Sequence, residues 1–320
     1  MNKLRQLYEK LYQIKAIYFD IDSEKSLLSD AAFVKKFYLD RTGKPIDLKN
    51  PKTLAEKLNW LKAYYHDPLM TLCADKYRLR TYVERVLGKG YMPRILGVWS
   101  SPDEIDFNAL PDTFVLKTNH DGGPIICKDK SKLDQEATRK LLAEKLKVNY
   151  YARGREWSYK NIKRLIFAEE FLSISDGELI DYRFFCFNGE PKYCMTTSEH
   201  TDAKHGRTDY FDLDFNHLPF GGSSQRATIT PKKPDNLAEM LEVARKLASY
   251  AAFPFVRVDL YSLNKKIYVG ELTFYPTGGM VNYHPEEWNK TVGDYLVLPK
   301  KNAWRHFKDH DRKWIRKALK

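Results

Sequence analysis

Apolar residues recur at helical spacing in the first part of the chain and at strand-like spacing in the second. Four segments before residue 92 have the helical pattern, and glycines and prolines separate them. The predicted helices cover residues 3–18, 29–41, 53–65 and 76–87. Thr53 followed by Glu56 has the form of a capping box, which indicates that the third helix begins at Thr53.

From Pro93 onward, short runs of β-branched and aromatic residues alternate with clusters of proline and glycine. Two further segments within this part have helical spacing. Strands that are interrupted by helices indicate a mixed α+β architecture. The predicted strands are 113–118, 125–128, 165–171, 182–187, 193–197, 255–261 and 267–274, and the predicted helices are 132–148 and 236–251.

The composition bears on where the protein works. No apolar run approaches the roughly 20 residues that a membrane-spanning helix needs. Residues 1–19 mix apolar and charged side chains and lack the continuous apolar core of a signal peptide. We therefore expect a cytoplasmic protein in which the four cysteines are buried free thiols: Cys73, Cys127, Cys186 and Cys194.

The formal net charge is +12, and much of the excess lies in residues 300–320. Basic residues there flank Trp304, Phe307 and Trp314, a spacing that predicts a basic amphipathic helix over residues 301–320. Such a helix either packs on its own domain or docks on anionic lipid. Positive charge also suits nucleic acid or phosphorylated ligands, so charge alone does not identify the partner.

A predicted hairpin late in the chain carries the clearest candidate chemistry. If residues 264–266 form a three-residue loop, Asp259 lies opposite Glu271. Arg257 then lies opposite Thr273, and all four side chains share one face. Because opposed carboxylates repel each other, a positive group is expected between them. A divalent cation that bridges to substrate phosphates meets this need, and a solvated acidic face neutralised by Arg257 is the alternative.

Two other segments combine strands with polar turns. Residues 113–128 place a glycine turn between apolar strands, with Lys117 near the end of the first strand. Glycine backbones can approach phosphate closely, although an ordinary hairpin explains the same pattern. Residues 165–190 hold an apolar strand that ends in Glu169 and Glu170. Asp181-Tyr182-Arg183 then opens another strand; a surface ion pair of Asp181 with Arg183 is the alternative explanation.

Five motifs in this order resemble the ATP-grasp superfamily: Asp75-Lys76, FVLKTNHDGG, AEEFL, DYR, and RVD with GELTFYPTGG. More closely, NPKTLAEKLNWLKAYYHDPLMTLCADKYRLRTYV and ELTFYPTGG are similar to its TupA-like branch, which is named for teichuronopeptide synthesis. The resemblance covers residues 37–299. It implies an α+β ATP-grasp fold with a helical N-terminal region and with ATP bound between two α+β subdomains.

The implied domains are a mainly helical region at 1–92, a central subdomain with the phosphate loop at 93–170, a C-terminal subdomain with the metal site at 171–300, and the basic helix at 301–320. The resemblance assigns ATP contacts to Lys76, Lys117, His120, Gly122, Gly123, Glu169, Glu170, Leu172 and Asp181.

In the same way, the resemblance assigns Mg²⁺ to Asp259, Glu271 and Thr273, where Thr273 stands at the usual Asn position. Arg257 resembles the arginine that steadies the acyl-phosphate, and Arg183 resembles one that reaches phosphate. Substrate contacts are assigned to Gly278, Gly279, Asn282 and His284.

The function implied by the resemblance is an ATP- and Mg²⁺-dependent carboxylate–amine ligase that works through an acyl-phosphate. Its expected product joins an amino acid or amino sugar to a uronic acid of a bacterial capsule, O-antigen or teichuronopeptide. The saccharide is a small molecule or is linked to lipid or nucleotide, and no nucleic-acid partner is expected. Peripheral contact with the inner face of an anionic membrane is compatible with the charge.

Two other functions remain open at this point. Asp212-Leu213-Asp214 has the Asp-x-Asp pattern of a metal-dependent glycosyltransferase, although a polar turn explains this pattern better. A nonenzymatic polyanion-binding protein would explain the charge and the 21 tyrosines. The aromatic residues, however, fall at strand positions that suit a core, which argues against a nonenzymatic polyanion-binding protein.

Overall fold

The computed structural model describes residues 28–172, 179–199, 206–301 and 313–318. The predicted helix at residues 3–18 and most of the predicted helix at 301–320 lie outside these ranges. Before the first strand, the described helices are α1 (Asp30–Thr42), α2 (Leu54–Tyr64), α3 (Pro68–Ala74) and α4 (Leu79–Leu87).

Local sequence signals explain where these helices begin. The capping box is confirmed, because the Glu56 N–H donates to Thr53 Oγ1 at 3.2 Å and the Thr53 N–H donates to Glu56 Oε2 at 2.9 Å. The short helix α3 was not predicted. It begins at Pro68, whose lack of an N–H costs nothing in the first helical turn, and Asp67 accepts the Leu69 N–H at 2.9 Å.

A four-stranded antiparallel sheet follows, with the strand order β1-β4-β2-β3. The edge strand β1 was not predicted, because all of its side chains are half-buried and it lacks alternation between apolar and polar positions. The strands are β1 (Ile95–Trp99), β2 (Phe114–Thr118), β3 (Ile125–Cys127) and β4 (Ile166–Glu170), with helices α5 (Gln135–Leu146) and α6 (Tyr150–Gly154) between β3 and β4.

The second sheet has five antiparallel strands in the order β7-β6-β5-β8-β9. Its edge strand β7 is polar at three of five positions and was not predicted. The elements are β5 (Asp181–Phe187), β6 (Glu190–Ser198), β7 (Arg207–Phe211), α7 (Leu237–Ser249), β8 (Phe255–Leu263), β9 (Lys266–Thr273), α8 (Trp288–Asp294) and α9 (Lys313–Ala318).

Two hydrophobic cores support these sheets. The smaller core lies within the four-stranded unit and includes Phe114, Leu142 and Ile166. The larger core joins the helices before β1 to the five-stranded sheet, because residues such as Leu58 and Val258 belong to one buried cluster. The helical N-terminal region therefore shares its core with the second sheet. The predicted domain boundaries stay a prediction.

The hairpin of β8 and β9 differs from the predicted one at its loop. Leu263 pairs with Lys266, so the loop has two residues, Asn264 and Lys265, and both have positive φ. The predicted three-residue loop is wrong. A register shift next to Asp259 then compensates, because Leu260 pairs with Val269 while Asp259 pairs with Glu271.

Other expectations concern single residues and helices. All four cysteines are free and buried, as predicted. Among the helices that the structure describes, none is long and apolar enough to cross a membrane.

Candidate active site

The four hairpin residues lie together as the sequence predicts. Asp259 faces Glu271 across β8 and β9, and Arg257 faces Thr273. The Arg257 guanidinium donates through Nε to Asp259 Oδ1 at 2.7 Å and through Nη2 to Glu271 Oε1 at 2.9 Å. The same Nη2 donates to Thr273 Oγ1 at 3.1 Å. The positive group expected between the two acids is thus supplied in part by Arg257.

Lys76 reaches the same carboxylates from the helical region. Its Nζ lies 2.7 Å from Glu271 Oε2. The backbone holds Lys76 in place, since its N–H donates to Asn119 O at 2.8 Å, just after β2. The buried Asn119 side chain also donates to Asp75 Oδ2 at 2.8 Å and accepts the Leu165 N–H. Sequence analysis did not single out Asn119, which lies within the recognised FVLKTNHDGG motif.

The charges at the hairpin strongly shift one another's pKa values. Burial raises the pKa of Asp259 to about 7, although Arg257 opposes this shift. Burial would also raise the pKa of Glu271, but Lys76 and Arg257 hold it well below its usual range. Burial likewise works against the charge of Lys76, yet the adjacent Glu271 raises the pKa of this lysine. Such strong perturbation of neighbouring groups is typical of functional sites.

Strand β5 adds Asp181 and Arg183 beside the hairpin, because Arg183 pairs with Asp259 across β5 and β8. Arg183 Nη2 donates to Asp181 Oδ2 at 2.8 Å. Its Nε lies 3.7 Å from Asp259 Oδ2 and makes no hydrogen bond within the described part of the chain. Asp181 and Arg183 thus lie next to the hairpin acids, and the buried Nε of Arg183 is available to donate a hydrogen bond.

The glycine turn between β2 and β3 is tied to the helices that follow it. Lys145 Nζ donates to Asp121 Oδ2 at 2.8 Å and to Gly122 O at 2.7 Å, and the Tyr150 hydroxyl also donates to Asp121. Gly123 has φ +73°, a conformation that favours glycine. His120 is buried at the start of this turn, and its burial, helped by Arg164, lowers its pKa to about 4.

The predicted hinge borders a pocket between the two sheets. Glu169 is buried and forms an ion pair with Lys117, while Glu170 is more exposed and accepts the Arg94 N–H at 3.0 Å. The pocket has a volume of about 120 Å³. Its lining includes Lys76, Lys117, Glu169, Glu170, Leu172 and Tyr261.

The predicted substrate residues divide into two groups. Gly278 and Gly279 lie in a left-handed turn after β9, with φ values of +61° and +78°. Two buried side chains of α2 hold the turn: Lys62 Nζ donates to Gly278 O, and Asn59 Nδ2 donates to Gly279 O at 2.9 Å. Sequence analysis missed both of these tethers.

The second group faces solvent. Asn282 and His284 are exposed and contact each other, with Asn282 Nδ2 lying 3.2 Å from His284 Nε2. The His284 backbone pairs with Gly221 rather than with the turn. The structure thus does not bring these two side chains into contact with the hairpin acids.

The alternative metal motif at residues 212–214 is occupied by local hydrogen bonds. Asp212 Oδ1 accepts the N–H groups of Asp214 at 2.9 Å and Asn216 at 2.8 Å. These bonds are those of an Asx turn, in which the carboxylate organises the backbone.

The donor set of the hairpin fits a hard divalent cation. Among the described residues, no three or more His, Cys, Asp and Glu side chains are grouped to hold a metal ion. Magnesium, however, commonly takes only one or two carboxylates and completes its coordination with phosphate and water. Asp259, Glu271 and the Thr273 hydroxyl would supply these protein oxygens, and Lys76, Lys117 and Arg183 are cations that suit phosphates.

A family model described as TupA-like ATPgrasp matches residues 56–297. The match contains the pocket, the hinge, the hairpin and the left-handed turn. No curated protein matches the chain significantly.

Among solved structures, the L-amino acid ligase from Bacillus licheniformis has 14% sequence identity and a TM-score of 0.42, with 84% of this chain and 54% of that chain covered. The D-alanine–D-alanine ligase from Bacillus anthracis has 19% identity and a TM-score of 0.39, with 75% and 73% covered. The ATP-grasp ligase PsnB, solved with its minimal precursor, has 13% identity and a TM-score of 0.39, with 68% and 58% covered. The chain thus spans little more than half of the PsnB and L-amino acid ligase chains.

Proposed function

Because the chain belongs to the TupA-like ATP-grasp family, we propose that it is a ligase that uses ATP and Mg²⁺ to join a carboxylate to an amine. The observation that carries this proposal is the convergence of Lys76 and Arg257 on the paired acids Asp259 and Glu271. Phosphoryl transfer depends mainly on positioning and charge neutralisation, which this arrangement offers.

The proposed roles follow from the contacts. Asp259, Glu271 and Thr273 hold Mg²⁺, which would neutralise phosphate charge during transfer to the carboxylate. Lys76 and Lys117 line the pocket and hold phosphates, and Arg183 reaches phosphate from β5. Arg257 stabilises charge at the acyl-phosphate. In the turn between β2 and β3, His120, Gly122 and Gly123 enclose the phosphates.

The nucleotide base would lie at the hinge. Glu169, Glu170 and Leu172 border the pocket between the sheets, where backbone groups after β4 are able to meet an adenine. Asp181 contacts the ribose or the phosphates. Gly278 and Gly279 present the amine substrate, whereas Asn282 and His284, being exposed, suit contacts with a larger acceptor.

We propose a uronic acid of a capsule, O-antigen or teichuronopeptide as the carboxylate, and an amino acid or amino sugar as the amine. Support comes from the family and from the net charge of +12, which favours polyanionic saccharides, including those linked to lipid or nucleotide. We also propose a cytoplasmic enzyme, and its positive charge favours peripheral contact with the anionic inner face of the membrane. We further propose that the chain is organised as the sequence predicts, with a helical region up to residue 92, a central subdomain up to residue 170, a C-terminal subdomain up to residue 300 and a basic helix after it.

The test is product formation. Purified protein is incubated with ATP, Mg²⁺, and a panel of uronic acids and amines, and release of ADP and phosphate is measured together with the condensed mass. Amide formation that needs both substrates supports the ligase. Sugar transfer from a nucleotide sugar without ATP would favour a glycosyltransferase, and RNA binding without ATP use would favour a polyanion-binding protein.

A further inference from the structure

The buried Glu169 on β4 has two cationic neighbours from separate parts of the chain. Lys117 on the adjacent strand β2 forms a direct ion pair with Glu169 Oε1. Arg80 on α4 lies on the other side, with Nη2 at 3.5 Å from Glu169 Oε2. The Glu169 side chain is only 7% exposed, so its charge depends on these neighbours.

Lys117 has a second task in the proposed reaction, because it lines the pocket that would hold the nucleotide phosphates. A lysine ammonium that binds phosphate gives up at least part of its contact with a carboxylate. Nucleotide binding would therefore remove the nearest partner of a buried acid. A buried charge that loses its partner is strongly destabilising.

Arg80 is placed to replace that partner. Its Nε and Nη2 are buried and make no hydrogen bond to any described residue, so both donors are unused. The helix α4 that carries Arg80 is anchored in the larger core by Leu79, Tyr82 and Val83. We infer that Arg80 is a positioning residue that neutralises Glu169 when Lys117 turns to the nucleotide. This inference rests on the proposed function.

The two states of Glu169 then differ in partner but not in charge balance. Without nucleotide, Lys117 makes the direct contact and Arg80 stays beyond hydrogen-bonding geometry. With nucleotide, Arg80 closes the short remaining gap to Glu169 and Lys117 is released to the phosphates. Arg80 thus lowers the cost of nucleotide binding without touching the nucleotide.

The test is a double-mutant cycle read by binding rather than by turnover. ATP affinity is measured by calorimetry in Mg²⁺ buffer for wild type, Arg80→Gln, Glu169→Gln and the double variant. We expect Arg80→Gln to weaken ATP binding by about 10- to 100-fold, because Glu169 then loses its substitute partner. Its melting temperature without nucleotide should stay close to that of wild type, since Lys117 still neutralises Glu169.

In the double variant, the neutral amide at position 169 needs no cation, so ATP affinity should recover to within about threefold of the Glu169→Gln variant. Arg94→Gln is the matched control, because Arg94 forms a longer, exposed pair with Glu170 at 3.9 Å. It should bind ATP as wild type does.

Each result decides between alternatives. Equal ATP affinity of wild type and Arg80→Gln overturns the role of Arg80 and leaves the proposed ligase intact. Weak binding that the second substitution does not rescue shows that Arg80 contacts the nucleotide itself, which also overturns the inference. Absence of ATP binding by the wild type contradicts the proposed function instead.

Discussion

Lys76 Nζ lies 2.7 Å from Glu271 Oε2, which joins the helical N-terminal region to the end of the last strand. This ion pair connects Lys76 to β9, an edge strand of the five-stranded sheet. Lys76 and Arg257 both contact the same carboxylate, through its two different oxygens. The cations proposed for phosphate and the acids proposed for metal therefore already balance each other in the structure.

Replacement of the hairpin acids should abolish catalysis and preserve the fold. We expect Glu271→Gln and Asp259→Asn each to lower the rate of ADP release by about 100-fold or more, because each removes one charged oxygen ligand of the metal. The measurement is ADP release under saturating substrates, with circular dichroism as a check on folding.

Lys266→Gln serves as the control for this pair, because Lys266 is exposed at the loop end of the same hairpin. Its rate should match that of wild type. Full activity in both acid variants would remove the metal assignment.

Loss of the Lys62 tether should impair use of the amine more than use of ATP. Lys62 Nζ donates to Gly278 O, so Lys62→Met removes one of the two tethers of the left-handed turn that is proposed to present the amine, and the Asn59 bond to Gly279 O remains. We expect KM for the amine to rise about tenfold, while KM for ATP changes little. Steady-state kinetics with each substrate varied in turn will measure both values.

Lys57→Met is the matched control on the same helix. Lys57 Nζ donates to Gly293 O and Leu296 O, both at 2.8 Å, at the end of α8. Its removal should lower the melting temperature and leave KM for the amine unchanged. If the two variants raise this KM equally, a general loss of stability explains the effect and the tether does not.

The two-residue hairpin loop offers a stabilising substitution. Lys265 has φ +64°, a left-handed conformation that costs a side-chain-bearing residue energy. Lys265→Gly should therefore increase the free energy of unfolding by about 0.5–1 kcal/mol, measured by urea denaturation. Asn236 donates to the backbone carbonyl of residue 265, so the substitution retains this bond.

The adjacent Lys266→Gly tests the same change inside a strand. Glycine there should destabilise the protein by about 0.5–1 kcal/mol. If both substitutions changed the free energy of unfolding in the same direction, the assignment of residue 265 to the loop and residue 266 to the strand would be contradicted.

Stability should fall in mild acid because of His120. Burial and the nearby Arg164 and Lys76 lower its pKa to about 4, whereas Asp121 opposes the shift. In the unfolded chain this histidine takes up a proton below about pH 6.5, whereas in the folded protein it does so only near pH 4. The free energy of unfolding therefore falls as the pH drops from about 6.5 to about 4. The loss amounts to about 2–3 kcal/mol of unfolding free energy.

His120→Gln lacks this contribution, so its urea midpoint should fall less than that of wild type between pH 7 and pH 4.5. His284→Gln, at an exposed position, is the control and should follow wild type. Parallel pH profiles for wild type and His120→Gln would show that the histidine is not held neutral.

In the hairpin of β8 and β9, the sequence predicted the pairing of the acids correctly and the loop length incorrectly. Alternation and a loop length were enough to place Asp259 opposite Glu271, and that pairing is confirmed. The assumed loop was one residue too long, but the register shift between Asp259 and Leu260 restored the predicted pairing. A bulge of this kind depends on packing around Gly270, where an added Cβ would lie 2.8 Å from the Tyr261 ring.

Contacts between distant segments were beyond the reach of local patterns. Nothing in the residues around Lys62 indicates that its ammonium group is buried against Gly278, since the contact depends on how α2 packs on the second sheet. The same holds for Arg80 and Glu169. Motif order placed Lys76 and Lys117 near one site, but their partners appeared only in three dimensions.

The larger core makes the helices before β1 and the strands after β4 depend on each other for burial of their apolar side chains. Helices before β1 and strands after β4 belong to one buried cluster, while the four-stranded unit between them has its own. Along the sequence, the four-stranded unit thus separates two segments that pack into one core. A truncated chain that starts at residue 93 would leave the five-stranded sheet without the helices that share its core. Excision of residues 93–170 would also disturb the larger core, because Tyr159 and Ile162 pack against it.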